Sequence, residues 1–212
     1  MTVPWAEFGA LALAHGLAVV SPGPDFALIV RQGLRHGRRT ALWTSVGIGS
    51  GILVNTGLTL AGVGLVMRQS PGMFLVFKLI GAAYLGWLGW QALSAASRPA
   101  APGAGAQADR DEPSPGAAWR RGFLTNVLNP KAALFFVALF PAVVAATTPL
   151  AVQIGYGLWM AVATTLWFAL VATVFAHDAV RSRFLRAAVW IDRALGVVFL
   201  AFAAAVILTT MS

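Results

Sequence analysis

Two residues with ionisable side chains, Asp25 and Lys131, lie inside apolar stretches that are long enough to cross a membrane. An ionisable side chain in such a position costs a few kcal/mol or more and by default marks a functional site. Counting back to Arg31 and Arg121 at about 1.5 Å per residue places the two residues roughly 9 and 15 Å from one membrane boundary. The pattern predicts that a carboxylate and an ammonium group meet there, directly or through a bound ligand.

Both residues directly follow proline motifs that break a helix. Proline has no N–H group and clashes with the carbonyl group four residues earlier, so each motif frees carbonyl oxygens from helical hydrogen bonds. Such a break persists in a bilayer only where it is buried in protein or lines a watery cavity. We therefore expect a substrate-binding or proton-coupling site between two broken helices. Its predicted residues are Asp25, Lys131, Ser21, Pro22, Gly23, Pro24, Asn126, Asn129, Pro130 and Asn55.

The composition indicates an integral membrane protein in a lipid bilayer. Hydrophobic residues make up 58% of the chain and charged residues 10%, against roughly 45–50% and about 25% in soluble domains. The net charge of +8 comes from arginines in short clusters between apolar runs, which is typical of topology signals and excludes a nucleic-acid partner. Because the chain has no cysteine, disulfides, thiolate metal sites and cysteine nucleophiles are excluded.

The apolar runs predict an all-α membrane protein with six transmembrane helices. A span needs about 20 apolar residues, and six runs meet that length. The first, third and fifth connections together carry eleven arginines, whereas the second and fourth carry one. The positive-inside rule therefore places the odd connections in the cytoplasm and both termini outside. The predicted spans cover residues 5–30, 41–66, 71–95, 122–146, 149–176 and 187–209.

The chain divides into two membrane halves in this interpretation. Residues 97–121 are rich in Pro, Gly and Ala, which is typical of a disordered linker, here a cytoplasmic one between residues 1–96 and 122–212. The broken first and fourth helices run in opposite directions, as in transporters built from two inverted repeats of three helices. Gly47, Gly49 and Gly51 form a face of small residues, which favours close packing inside the bundle.

The remaining ionisable residues in the apolar runs have structural explanations. Glu7 lies at the outer edge, and Lys78 has a stem long enough to reach the outer interface. Asp192 and Arg193 are adjacent, so we expect their charges to satisfy each other near the cytoplasmic face. His15 is interpreted as a packed, neutral histidine.

Four motifs carry a resemblance to a known family: residues 21–26 (SPGPDF), 32–37 (QGLRHG), 78–86 (KLIGAAYLG) and 122–131 (GFLTNVLNPK). They resemble the LysE/RhtB amino-acid exporters over almost the whole chain, with residues 97–119 as the variable part. The resemblance implies a transporter in the bacterial inner membrane that expels amino acids or close derivatives, driven by the proton motive force. The resemblance is also compatible with a homodimer. Related branches of the superfamily move metal ions, so metal ions stay an alternative class of substrate.

The resulting hypothesis is a secondary transporter that works by proton antiport and needs no cofactor or bound metal. Asp25 and freed carbonyl groups bind the substrate ammonium, and Lys131 or helix N–H groups bind its carboxylate, while Asp25 also carries the proton. An exporter of metal ions or of another small metabolite and a non-transporting scaffold remain as alternatives. An enzyme is not expected, because the histidines are isolated and no P-loop is present.

Overall fold

The computed structural model describes residues 4–69, 71–95, 112–145, 147–175 and 178–211. Within these residues every regular element is an α-helix. They are α1 (Trp5–Val20), α2 (Pro24–Gln69), α3 (Pro71–Ala95), α4 (Pro115–Val127), α5 (Pro130–Val143), α6 (Leu150–Val174) and α7 (Asp178–Met211).

The helices fit a membrane environment. Among the described residues, three segments are long and apolar enough to cross a bilayer: Pro24–Gly62, Leu150–Val174 and Val189–Leu208. The bent pair α4 and α5 makes a fourth if it counts as one span. A stripe of large apolar side chains on α6 is exposed, as expected for a surface that faces lipid. This stripe consists of Leu150, Ile154, Leu158, Val162, Leu166 and Leu170. The arrangement of six spans in two repeats stays a prediction.

The first predicted helix break is present, and the helical segment after it is kinked at Gly37. α1 ends at Val20, the backbone at Ser21 is extended, and α2 begins at Pro24. α2 combines two helices that meet at a kink at Gly37 (φ 81°, ψ 174°), inside the basic segment that we interpreted as a connection. The chain turns back at this kink, because a Cβ atom at Gly33 would lie 3.8 Å from the Ala41 Cβ. The first of the two helices passes the end predicted at residue 30, because charged residues lower the hydropathy of a segment without lowering its helix propensity, and the predicted connection agrees with the kink.

The second predicted break is present as well. α4 begins after Ser114, whose side chain accepts a hydrogen bond from the Ala117 N–H at 3.3 Å, and α5 begins after Asn129, whose Oδ1 accepts one from the Lys131 N–H at 3.0 Å. The two helices are bent by 58°. Residues 115–121, which we assigned to the linker, belong to α4, and the rest of that segment up to residue 111 lies outside the described residues.

Glycines bring the helix backbones into contact, which confirms the packing predicted for the small-residue face. A Cβ atom at Gly47 would overlap the backbone of Trp119 and Phe123 in α4, and one at Gly49 would overlap Thr165 in α6. α2 therefore lies between α4 and α6. α3 and α7 meet in the same way, because a Cβ atom at Gly89 or Gly196 would lie 2.8 Å from the carbonyl oxygen of the other residue.

The end of the bundle at which α1 begins is closed. The Glu7 carboxylate accepts hydrogen bonds from the Ala145 N–H at 3.1 Å and from the Thr148 hydroxyl at 2.9 Å, so it ties α1 to the turn between α5 and α6. The structural role expected for Glu7 agrees with these contacts. Beneath it lies a core of apolar side chains from α1, α5, α6 and α7, including Leu11, Phe136, Leu139, Met160 and Phe199.

We predict that Gly47→Val destabilises the protein and that Gly57→Val does not. Both glycines lie on α2, but among the described residues a Cβ atom at Gly57 meets nothing within 4 Å, whereas one at Gly47 meets backbone atoms that cannot yield. Overpacking of this kind costs about 1–3 kcal/mol or more. Thermal unfolding of the purified variants in detergent, followed by tryptophan fluorescence, measures the difference. Equal melting temperatures for the two variants would contradict the close approach of α2 and α4.

Candidate functional site

A cavity of about 60 Å³ lies where the two helix breaks meet. α1, α2, α5, α6 and α7 all contribute to its wall. The polar side chains that line it are those of His15, Ser21, Asp25, Asn126, Asn129, Lys131 and Thr164, and five phenylalanines supply much of the apolar remainder. The predicted meeting of Asp25 and Lys131 in one site agrees with this geometry.

Asp25 lies in the first turn of α2 and is held there by α4. Its Oδ2 accepts a hydrogen bond of 2.8 Å from the Asn126 amide, and Asn126 is only 1% exposed. The Asn55 amide in turn donates to Asn126 Oδ1 at 3.2 Å. Gly51 leaves room for this side chain, because a Cβ atom there would lie 2.7 Å from Asn126 Oδ1. Asp25 Oδ1 is buried and has no hydrogen-bond partner among the described residues.

Lys131 is the second residue of α5, and its ammonium group lies between two carboxylates. Its Nζ donates a hydrogen bond of 3.1 Å to Ser21 Oγ, and the Ser21 hydroxyl donates one of 2.7 Å to Asp192 Oδ1. The ammonium group interacts electrostatically with both Asp25 and Asp192. The break after α1 thus places one hydroxyl between the Lys131 cation and an anion of α7.

Asp192 is a site residue that the sequence analysis missed. We expected it to pair with Arg193, but its carboxylate bonds to Ser21, while the Arg193 guanidinium lies 4.8 Å from the centre of the Trp190 ring. Adjacent helical residues point in directions about 100° apart, so they do not face each other. The spacing of Asp192 from the buried Leu195 and Phe199 was the available signal, because positions three and seven residues apart share a helix face.

A second, larger chamber of about 440 Å³ adjoins the cavity. Its wall includes Gln91 and Ser94 near the end of α3 and Asp192 on α7. Four residues border both spaces and so separate the two. They are Ser21, Leu88, Lys131 and Phe199.

The other predicted site residues have distinct positions. Gly23, Pro24 and Asn129 line the cavity, and Pro22 lines the chamber instead. A Cβ atom at Gly23 would lie 3.8 Å from Lys131 Nζ. Pro130 is the first residue of α5, and its side chain lies outside the described part of the structure. Asn55 reaches the cavity only through Asn126, whose carbonyl oxygen accepts from the Asn55 amide at 3.4 Å.

His15 lines the cavity and not the chamber. It is 2% exposed, and its Nε2 lies 3.3 Å from the Met160 carbonyl oxygen and 3.0 Å from Thr164 Oγ1. The packed histidine that we expected matches this position. Nδ1 has no hydrogen-bond partner within the described ranges, so the ring also presents a polar atom inside the protein.

The arrangement suits a ligand with two opposite charges. A free carboxylate oxygen on Asp25 and a second carboxylate on Asp192 can each accept hydrogen bonds from an ammonium group. Lys131 lies between them and can donate to an anionic group. Hydrogen bonds in which one partner is ionised are about twice as strong as neutral ones, so this cluster can bind a small zwitterion at both ends.

The chain matches known proteins over most of its length. Residues 17–210 match the family model described as "LysE type translocator". The threonine efflux protein of Escherichia coli K12 is 31% identical over 195 residues, which cover 92% of this chain and 94% of that protein. The threonine efflux protein of Salmonella typhi is 30% identical over 202 residues, with the same coverage of each chain.

A leucine efflux protein of Klebsiella pneumoniae is 30% identical over 141 residues, covering 64% of this chain and 65% of that protein. No solved structure matches the chain. The family match confirms the resemblance seen in the four sequence motifs, and it includes both helix breaks and Asp192. The chain therefore belongs to the family of LysE type translocators, and it is a multi-pass membrane transporter and not an enzyme.

Proposed function

We propose that this protein exports an amino acid or a close derivative from the cytoplasm across the bacterial inner membrane, by proton antiport. The observation that carries the proposal is the cluster at the two helix breaks, where Asp25, Lys131 and Asp192 surround one cavity and its adjoining chamber. The names of the relatives, threonine efflux protein and leucine efflux protein, support the amino-acid class of substrate.

Two-point binding of a zwitterion is the chemistry that the site supports best. Lys131 donates to the substrate carboxylate, and the unpartnered Oδ1 of Asp25 accepts from its ammonium group. A metal cation fits this site less well, because the Lys131 ammonium group repels it at the same place where the carboxylates attract it. The charge pattern thus favours a zwitterion over the metal-ion alternative.

Proton antiport requires a group that holds either a proton or the substrate. Asp25 meets this requirement in the proposal, because a protonated carboxyl no longer attracts the ammonium group of an amino acid. Lys131 provides the link between the two ligands, since its charge interacts with the Asp25 carboxylate. Substrate binding at Lys131 changes that interaction and so changes the proton affinity of Asp25.

We predict that Asp25→Asn and Lys131→Met each abolish export, whereas Glu112→Gln retains it. The first two variants remove a charge from the cavity, while Glu112 lies outside it and accepts a hydrogen bond from the Thr40 hydroxyl. Cells that express each variant are fed mixed dipeptides, and extracellular amino acids are measured by mass spectrometry. We expect the first two variants to match the empty vector. Wild-type accumulation in either one, at equal amounts of membrane-inserted protein, would overturn the assigned roles.

We predict that a pH gradient drives amino-acid transport in proteoliposomes and that amino-acid transport in turn moves protons. Wild-type protein is reconstituted with the exported amino acid inside and a pH-sensitive dye in the same compartment. Substrate efflux should acidify the interior, because each exported molecule exchanges for an entering proton. Glu112→Gln should behave as the wild type does. Efflux that leaves the internal pH unchanged would contradict antiport and leave amino-acid export standing.

The proposed orientation places both termini outside the cytoplasm. Because the chain has no cysteine, an introduced cysteine is the sole thiol for labelling. Thr147 in the turn between α5 and α6 and Gly116 at the start of α4 are both exposed. We predict that a membrane-impermeant maleimide labels Thr147→Cys in intact cells and labels Gly116→Cys only after permeabilisation. The reverse pattern would invert the topology.

A further inference from the structure

The chamber beside the cavity has the size of a ligand site, whereas the cavity does not. Ligand pockets measure about 300–1,000 Å³, and the chamber encloses about 440 Å³. The cavity encloses about 60 Å³, which is room for a few water molecules only. In this conformation an amino acid therefore fits the chamber, and the cavity must widen before a substrate can reach Asp25.

The chamber lies on the side of the protein that the arginine distribution assigns to the cytoplasm. Gln91 and Ser94 belong to the last two turns of α3, and Asp192 belongs to the first turn of the apolar span Val189–Leu208 in α7. The opposite end is closed by the apolar core and by Glu7 of α1, whose carboxylate accepts a hydrogen bond from the turn between α5 and α6. A substrate from the cytoplasm therefore meets the chamber first.

The Ser21 hydroxyl occupies the position that a zwitterion would take between two charges. It accepts a hydrogen bond from Lys131 at 3.1 Å and donates one to Asp192 at 2.7 Å. An α-amino acid offers the same polarity with full charges, because its carboxylate accepts from an ammonium group and its own ammonium group donates to a carboxylate. One carbon atom separates its two groups, so the molecule can bridge the same cation and anion once the Ser21 hydroxyl has moved away and the two charged side chains stand somewhat farther apart.

The rest of the chamber wall suits a small neutral side chain. Leu88, Ala92 and Leu195 provide apolar surface, and Gln91 and Ser94 provide polar groups at the rim. Asp192 is the one acidic residue and Lys131 the one basic residue among the described residues of this wall. A substrate with an additional charged side chain would leave that charge without a partner there.

We propose that this chamber is a loading site, in which Asp192 binds the ammonium group and Lys131 the carboxylate of a neutral amino acid arriving from the cytoplasm. The inference rests on the proposed function, and it assigns to Asp192 a specific contact in that function. Lys131 borders both spaces, so it can keep the carboxylate while the ammonium group passes from Asp192 to Asp25. The Ser21 hydroxyl loses both of its partners to the substrate during loading.

The test uses Ser94→Cys as a reporter, because Ser94 lines the chamber, is exposed and becomes the sole thiol of the chain. The purified protein is placed in phosphatidylcholine nanodiscs, which leave both faces accessible and whose headgroups have no N–H group to imitate an amino acid. The labelling rate with a small maleimide is measured with and without a mixture of the neutral protein amino acids. N-acetyl amino acids, which lack the ammonium group, serve as the matched ligand control.

We expect the amino-acid mixture to slow labelling and the N-acetyl compounds to leave it unchanged. Adding Asp192→Asn should raise the concentration needed for protection by about tenfold or more, the effect of losing a hydrogen bond between charged groups. Adding Arg193→Gln should leave protection unchanged, since Arg193 is exposed and lies over Trp190. Because Asp192→Asn conserves size, a melting temperature equal to that of the reporter protein establishes that it is folded.

Two results would overturn the loading site. In the first, the amino-acid mixture does not slow labelling of the reporter cysteine. In the second, the mixture slows labelling at the same concentration with and without Asp192→Asn. Export by cells that express the wild type separates this failure from that of the proposed function. If those cells export an amino acid, only the loading site is wrong. If they export none, the proposed function itself fails.

Discussion

The half-buried Lys131, whose ammonium group lies at the meeting point of the two helix breaks, is the constraint on which the arrangement of the bundle depends. It lies in the first turn of α5, where the helix dipole presents partial positive charge and makes a cation less favourable. Nothing local compensates it, and an uncompensated charge in a membrane interior is costly. The compensation comes from Asp25 on α2 and Asp192 on α7, with the Ser21 hydroxyl between. Three separate parts of the chain must therefore converge on one atom.

Glycine contacts make this convergence possible. Gly47 lets α2 approach α4 closely, and Gly51 opens the space in which Asn126 reaches Asp25. Gly89 and Gly196 do the same for α3 and α7, the two helices that form much of the chamber wall. Since membrane helices gain little from the hydrophobic effect when they associate, close backbone approach of this kind supplies van der Waals attraction instead. The residues that build the bundle thus also set the dimensions of the site.

Sequence patterns predicted the parts of this site that depend on local chemistry. Proline after Ser21 and Asn129 breaks a helix wherever the chain is folded, and an isolated Asp25 or Lys131 in an apolar run needs a partner. The place of Asp192 depends on which helix face packs inward. Hydropathy does not show which face of a helix packs inward. We therefore paired Asp192 with the adjacent Arg193, whereas its carboxylate bonds to Ser21. The first part of α2 was predicted too short for a related reason, because its arginines interrupt the apolar pattern while the helix continues to the kink at Gly37.

The balance of charge in the cluster bears on how proton and substrate can exchange. One ammonium group faces two carboxylates, so the cluster carries one negative charge in excess when both are ionised. A membrane interior favours neutrality, and a proton on one carboxylate supplies the missing positive charge. An amino-acid zwitterion adds no net charge, but its ammonium group takes the place of the proton at that carboxylate. The same carboxylate cannot serve both at once. In the proposed mechanism this exclusion is what couples the two fluxes, and it requires the second carboxylate: with Asp25 alone, Lys131 would already neutralise the site and leave no demand for a proton.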